Sequence, residues 1–171
     1  MKAVNKIILS GLFLALAVMI PQFLHPFGLA GNVFLPMHIP IILCGMICGY
    51  KWGGITGLLA PLISSVTFSM PVLYPMAVCM MLELAAYGVV SGILIKKTNV
   101  FVSLVSAMLA GRVVLGIAQA ILFGISGNPL KLNAFLTGAF VTAIPGIVIQ
   151  LFLVPAIIIA VKQYYKYKSH G

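Results

Sequence analysis

Long apolar runs, broken at short intervals by Pro, Gly, Asn or Lys, dominate the pattern along the chain. Apolar runs of about twenty residues are typical of helices that cross a bilayer. The pattern predicts six helices, at about Lys6–Leu24, Leu35–Gly49, Gly53–Phe68, Pro75–Ile95, Val100–Phe123 and Asn133–Val161. The second and third are short and are bracketed by Pro36, Pro40 and Pro61, so we expect one of them to be bent or incompletely spanning.

Composition strengthens this interpretation. The chain is 63% hydrophobic and 6% charged, whereas a soluble domain is roughly half apolar. Its 171 residues leave room for six spans with short loops and for no soluble catalytic module. We therefore expect an all-α integral membrane protein, a six-transmembrane-helix bundle in which residues 1–171 form one domain.

The amino terminus has a basic start, an apolar stretch and the triplet Ala15-Leu16-Ala17, a combination that also occurs in cleaved signal peptides. The apolar run continues through Met19 and Ile20, however, and the rest of the chain is equally hydrophobic. A first transmembrane helix is therefore the simpler interpretation.

The lysines are distributed unevenly between the two sides that six spans would create. One side carries both termini and eight lysines: Lys2, Lys6, Lys51, Lys96, Lys97, Lys162, Lys166 and Lys168. The other side carries only Lys131. Because positively charged loops stay inside, we expect both termini to be cytoplasmic in a multi-pass protein of the bacterial cytoplasmic membrane. The net charge of +9 reflects this topology and implies no nucleic-acid partner.

Two charged residues lie inside predicted spans. Glu83 is the only acidic residue in the chain, and Arg112 lies in mid-helix with no charged neighbour. Counting about 1.5 Å per residue from Lys96 and Lys97 places both roughly 20 Å from the cytoplasmic lysines, at nearly the same depth. An ionised side chain in hydrocarbon costs at least ~2.5 kcal/mol, so each should face the bundle interior and find a partner.

Two interpretations of Glu83 and Arg112 are open. A purely structural ion pair would pin the fourth helix to the fifth, although such pairs add little net stability. A ligand site is the alternative, because a polar cluster near the outer surface suits a small water-soluble ligand. Further polar residues share the same helix faces or lie near the outer end of the sixth helix, namely Tyr87, Gln119, Asn128 and Asn133.

Two outer segments carry further candidates. The stretch "FLPMHIP" places His38 near the outer end of the second helix, where it is either an interfacial histidine or a gate or ligand contact. The loop "SMPVLYP" combines Pro71 and Pro75 with the amphipathic Tyr74. This loop is either a lid or an interfacial anchor.

Several classes of function lack their residues in this chain. It contains no aspartate, no H-E-x-x-H, no G-x-S-x-G and no phosphate-binding G-x-x-x-x-G-K-[ST]. The cysteines at 44, 48 and 79 have no further metal ligands nearby in sequence, so we interpret them as packing residues. We expect no enzyme activity, cofactor or metal, and any active transport would need a separate motor.

The chain resembles the substrate-binding S-components of energy-coupling factor (ECF) vitamin transporters over nearly its whole length. The resemblance rests on six short spans, on the small residues Gly11 and Ala15 of the first helix, and on two blocks of sequence. These blocks are "LPMHIPIILCGMICGYKWGGITGLLAPLISS" and "MPVLYPMAVCMMLELAAYGVVSGIL". In that family the first helix commonly carries an A-x-x-x-A motif; here Gly11 replaces the first alanine, or the motif is shifted.

The resemblance implies a vitamin-capture subunit that works with a transmembrane coupling protein and two ATPases. It assigns partner docking to Gly11 and Ala15, and it places the site near the outer surface on helices four to six and the outer loops. The blocks are most similar to the pantothenate type, and Arg112 suits a carboxylate, while hydroxymethylpyrimidine, pyridoxine and cobalamin precursors remain alternatives. The rival from another class is a structural membrane scaffold protein, which would not need a polar outer cavity.

Overall fold

A computed structural model describes residues 3–24, 34–125 and 132–170, and within these ranges all regular structure is helical. The α-helices are α1 (Ala3–Leu24), α2 (His38–Cys48), α3 (Tyr50–Phe68), α4 (Val78–Leu94), α5 (Val100–Ile125), α6 (Leu132–Leu136) and α7 (Ile144–His170). A π-helical segment, Thr137–Val141, precedes α7. The segment Leu73–Ala77 leads into α4 and contains a kink at Tyr74, whose φ of −126° and ψ of 134° are extended. The predicted all-α class is confirmed.

Most helix ends differ from the predicted ones by up to three residues; α1 and α3, for example, begin at Ala3 and Tyr50 rather than at Lys6 and Gly53. The second helix begins at His38 rather than Leu35, because Leu35 has a φ of 49° in the left-handed region, which cannot continue a right-handed helix. The sixth predicted helix is divided into α6 and α7 by a π-helical segment, and α7 continues to His170, beyond the predicted end at Val161.

Four helical segments of the described chain are long and apolar enough to cross a membrane: Ala3–Leu24, Leu73–Leu94, Val100–Ile125 and Thr137–Gln163. By contrast α2 has 11 residues, which is about 16 Å of helix, roughly half the thickness of the hydrocarbon. The expectation of an incompletely spanning helix is therefore met by α2.

Helix α4 lies at the centre of the bundle and packs against α2, α3 and α5. Glycines allow the close approach: a Cβ at Gly88 would overlap the carbonyl of Gly53, and a Cβ at Gly53 would lie 2.5 Å from the Cα of Gly45. Ser103 Oγ of α5 donates to the backbone oxygen of Ser91 at 2.9 Å. These contacts enclose α4, so its polar side chains face protein.

The two ends of the bundle are distinguished by its connections. The turn at Gly49 and residues 95–99 lie at one end, and the loop 69–72 lies at the other. We call the end with the 69–72 loop the outer end. At this end Ser64 Oγ donates to the Met70 oxygen at 2.7 Å and accepts from Gln22 Nε2 at 3.5 Å, which ties the loop to α1 and α3.

Helix α1 lies at the edge of the bundle. Its buried residues are Ser10, Phe13, Ala17 and Val18. On this face the Cys44 thiol of α2 donates to Ser10 Oγ at 3.6 Å and lies 3.4 Å from Thr56 Oγ1 of α3. The opposite face of α1 is exposed and mostly apolar.

Candidate ligand-binding site

The two intramembrane charges meet between α4 and α5. Arg112 Nη1 donates a hydrogen bond of 2.9 Å to Glu83 Oε1. Only 7% of Arg112 and 2% of Glu83 is exposed. The prediction that each charge faces the interior and finds a partner is confirmed, and the partners are each other.

His38 and Tyr87 complete the group. His38 Nε2 lies 3.6 Å from the same Glu83 oxygen. The rings of His38 and Tyr87 pack edge to face, with centroids 5.0 Å apart and planes at 88°. Both side chains are buried. We call His38, Glu83, Tyr87 and Arg112 the buried polar cluster; three helices, α2, α4 and α5, position it.

A glycine beside Arg112 makes room for the aromatic member of the cluster. A Cβ at Gly111 would lie 3.0 Å from Cζ of Tyr87 and closer still to two other ring carbons. Real Cβ atoms essentially never approach so closely. The Tyr87 ring therefore lies flush against the α5 backbone one residue before Arg112.

The cluster has unused hydrogen-bonding capacity. Among the described residues, Arg112 Nη2 and both ring nitrogens of His38 are buried without a hydrogen-bond partner. Buried polar atoms in folded proteins are normally bonded, so each exception calls for an explanation. Arg112 Nη2 and His38 Nδ1 thus have hydrogen-bonding capacity left for another molecule.

The other predicted site residues lie outside this cluster. Gln119 is partly buried two turns farther along α5, roughly 10 Å from Arg112 along the helix axis. Tyr74 and Asn133 are exposed, and the Asn133 backbone oxygen accepts from Thr137 Oγ1 at 2.8 Å. Asn128 lies outside the described residues. The binding roles of these four remain predictions.

Among the described residues with unpartnered buried polar atoms, one was missed from the sequence. Gln150 of α7 is 0% exposed, and neither of its amide atoms has a hydrogen-bond partner in the described part of the chain. The signal was present, because "GIVIQLFLV" contains a single polar side chain in an apolar run. Burying an amide without a hydrogen-bond partner also costs free energy, although less than burying a charge does. Gln150 should therefore also face the bundle interior and find a partner.

Comparison with protein-family models matches residues 5–158 to the family described as ECF transporter, substrate-specific component. The match includes the whole buried polar cluster, Gln150, and both small residues of α1. The chain belongs to this family. Comparisons with curated proteins and with solved structures return no match.

As an ECF substrate-specific component, the chain is a substrate-binding subunit of a membrane transporter and not an enzyme. The resemblance that the sequence suggested is confirmed at the level of the family. Family membership also gives the buried polar cluster a context, because a substrate-binding subunit needs polar groups inside an otherwise apolar bundle. It favours substrate capture over the scaffold alternative.

Proposed function

We propose that this ECF substrate-specific component captures a small, water-soluble vitamin that carries an anionic group, with pantothenate as the first candidate. The observation that carries the proposal is the state of Arg112. One guanidinium nitrogen is held by Glu83, while Nη2 is buried and has no partner among the described residues. A guanidinium offers five donors in a planar fork, enough to serve Glu83 and a ligand carboxylate together.

The remaining members of the cluster have supporting roles in this proposal. Glu83 holds and orients the guanidinium from the neighbouring helix. Without Glu83, Arg112 would be an unpaired buried charge, which is costly in a membrane. The Nε2 atom of His38 faces Glu83 at 3.6 Å, its Nδ1 has no partner among the described residues, and Tyr87 packs edge to face against the imidazole.

The ligand would enter from the outer end of the bundle. His38 is the first residue of α2 and Glu83 lies in the second turn of α4, so both are nearer to the outer end. The chain covers the cluster in this structure, and entry therefore requires movement of the outer segments. Tyr74, Gln119, Asn128 and Asn133 would supply further polar contacts there.

The proposed membrane arrangement follows from the charges of the sequence. Residues 1–171 form one domain with six membrane segments, and both termini lie in the cytoplasm of a bacterial cell. The partners are a transmembrane coupling protein and two ATPase subunits. Gly11 and Ala15 are exposed on α1, and nothing lies within 4 Å of a Cβ placed at Gly11. That open, small-residue surface supports docking of a partner helix.

Thermal unfolding of the detergent-purified chain tests the substrate assignment. The panel contains pantothenate, hydroxymethylpyrimidine, pyridoxine and a cobalamin precursor. A ligand present at a hundred times its Kd stabilises the folded state by about 2.7 kcal/mol, which is readily detected. We expect stabilisation by pantothenate. Stabilisation by a neutral member alone would refute the anionic substrate, and no stabilisation by any member would refute vitamin capture.

A further inference from the structure

The unpartnered buried polar atoms of the described side chains belong to three residues only: His38, Arg112 and Gln150. The first two are in the buried polar cluster. Gln150 is on α7 and is completely covered by protein. An amide buried without partners is destabilising, because it has lost its hydrogen bonds to water. A polar ligand that restores those bonds would explain why an apolar helix carries it.

The spacing of buried residues along α7 shows that Gln150 lies on the side of this helix that faces the core. Buried residues recur at every fourth position, at Gly146, Gln150, Val154 and Ile158. Val154 and Ile158 belong to the core cluster that also contains residues of α2 and α5. Since residues four apart share a helix face, Gln150 is on the side of α7 that faces this core.

The direction of α7 is fixed by its neighbours on α5. Phe135, which precedes α7, packs beside Gly116: a Cβ there would lie 3.0 Å from Cζ of Phe135. Val154, farther along, shares the core cluster with Leu104 and Met108, which are nearer the start of α5. The two helices are therefore antiparallel, and moving from Val154 back to Gln150 leads toward the outer end.

On α2 and α5, moving one helical turn toward the outer end likewise leads from a core residue to a member of the buried polar cluster. Ile42, Met108 and Val154 belong to the large apolar core cluster, which also contains residues of α1, α3 and α4. One helical turn nearer the outer end lie His38, Arg112 and Gln150 respectively. On each of α2, α5 and α7, which pack against one another in part, the residue with unpartnered buried atoms thus lies one turn from a core residue, on the side toward the outer end.

We propose that Gln150 is a ligand-binding residue of the site proposed above, and that its amide recognises a ligand group that both donates and accepts hydrogen bonds, a hydroxyl or an amide. The inference rests on the proposed function. The inference adds a second chemical requirement to the substrate, which would carry an anionic group for Arg112 and a hydroxyl or amide for Gln150. A carboxamide supplies one acceptor and two donors, so it can satisfy both kinds of group at once.

Replacing the amide with a hydrocarbon of similar size separates a binding role from a structural one. Gln150→Leu removes the unpartnered atoms, so the ligand-free variant should unfold at the same temperature as wild type or at a higher one. Its affinity for pantothenate, or for whichever panel vitamin binds wild type most tightly, should fall roughly five-fold to a hundred-fold. Gln163→Leu, at an exposed position of the same helix, is the matched control and should change neither property.

The outcomes distinguish this inference from the proposed function. If wild type binds a vitamin and Gln150→Leu binds it equally well, Gln150 is not in the site, while vitamin capture stands. A lower unfolding temperature with unchanged affinity in the folded protein would likewise assign Gln150 a structural role. If wild type binds no member of the panel, the proposed function fails and this inference fails with it.

Discussion

Arg112 of α5 donates a 2.9 Å hydrogen bond to the chain's only acidic residue, Glu83 of α4. His38 Nε2 lies 3.6 Å from the same carboxylate oxygen. One oxygen of one carboxylate is thus approached by two side chains, while Arg112 Nη2 has no partner among the described residues. In the proposed function, a ligand carboxylate accepts a hydrogen bond from this guanidinium nitrogen.

Truncating Arg112 should therefore abolish ligand binding without preventing insertion. Loss of a buried, charge-assisted contact costs roughly 2 to 5 kcal/mol, about thirty-fold to several-thousand-fold in affinity. Arg112→Lys should also bind weakly, because an ammonium cannot serve Glu83 and a ligand in one plane. Glu83→Gln should weaken binding less, since an amide oxygen still accepts one hydrogen bond. Titrations on monodisperse protein measure these effects.

The structural ion-pair interpretation predicts a different result from the same variants. If the pair only joins α4 to α5, Arg112→Ala and Glu83→Gln should impair folding in parallel. The folded fraction of each would then bind the vitamin with normal affinity. Normal affinity in folded Arg112→Ala would remove Arg112 from the site.

Filling the space at Gly111 should disturb the cluster through Tyr87. A Cβ at this position would overlap the Tyr87 ring, and overpacking typically costs about 1 to 3 kcal/mol. This exceeds the gain of about 1 kcal/mol that alanine brings over glycine in a helix. We expect Gly111→Ala to lower the unfolding temperature and to weaken vitamin binding.

Gly124 of the same helix is the matched control, because nothing lies within 4 Å of a Cβ there. Gly124→Ala should leave binding unchanged and should leave the unfolding temperature equal to or above that of wild type. Equal behaviour of the two alanine variants would mean that the Tyr87 ring has room to move, and that its contact with α5 does not position the site.

The fold and the central ion pair were predictable because each rests on a simple physical constraint. Apolar runs in a membrane form helices, since every backbone group must be satisfied within the span. Fixed helical rise then placed Glu83 and Arg112 at one depth, and the cost of an unpaired charge required a partner. The sequence did not, however, assign Glu83 to Arg112 rather than to a ligand. That assignment depends on how α4 and α5 are rotated.

Features that depend on tertiary packing were not predictable. The close contact of Gly53 with Gly88 requires knowing that α3 lies against α4, because glycine is common in membrane helices for other reasons. The π-helical segment Thr137–Val141 divides the predicted sixth helix. Pro145, in the first turn of α7, is compatible with a helix start there, but the sequence does not predict the π-helical turn before it. Gln150 was identifiable as an isolated polar residue, but its lack of partners is a property of the folded chain.

The proposed orientation in the membrane predicts which positions react with impermeant thiol reagents. Cysteines introduced near Lys97 and near the carboxyl terminus should label only from the cytoplasm, and one near Asn128 should label from outside. The reason is the excess of lysines on one side of the predicted spans. The native cysteines are buried in this structure, and replacing them first provides the background control. Labelling of the Lys97 and Asn128 positions from the same side would overturn the six-segment arrangement.

Enlarging the small residues of α1 should separate vitamin binding from transport. Gly11 and Ala15 are exposed and point away from the bundle interior, far from the buried polar cluster in sequence and on a different helix. A leucine at either position would keep a partner helix from approaching closely, without touching this chain's core. Gly11→Leu and Ala15→Leu should therefore bind vitamin nearly as wild type does. Both variants should lose ATP-driven uptake, measured in cells or in proteoliposomes with the coupling protein and ATPases.

Gly124→Leu is the control, because it adds the same bulk at another open glycine, and it should transport normally. Normal uptake and complex assembly by both α1 variants would show that the coupling protein docks elsewhere.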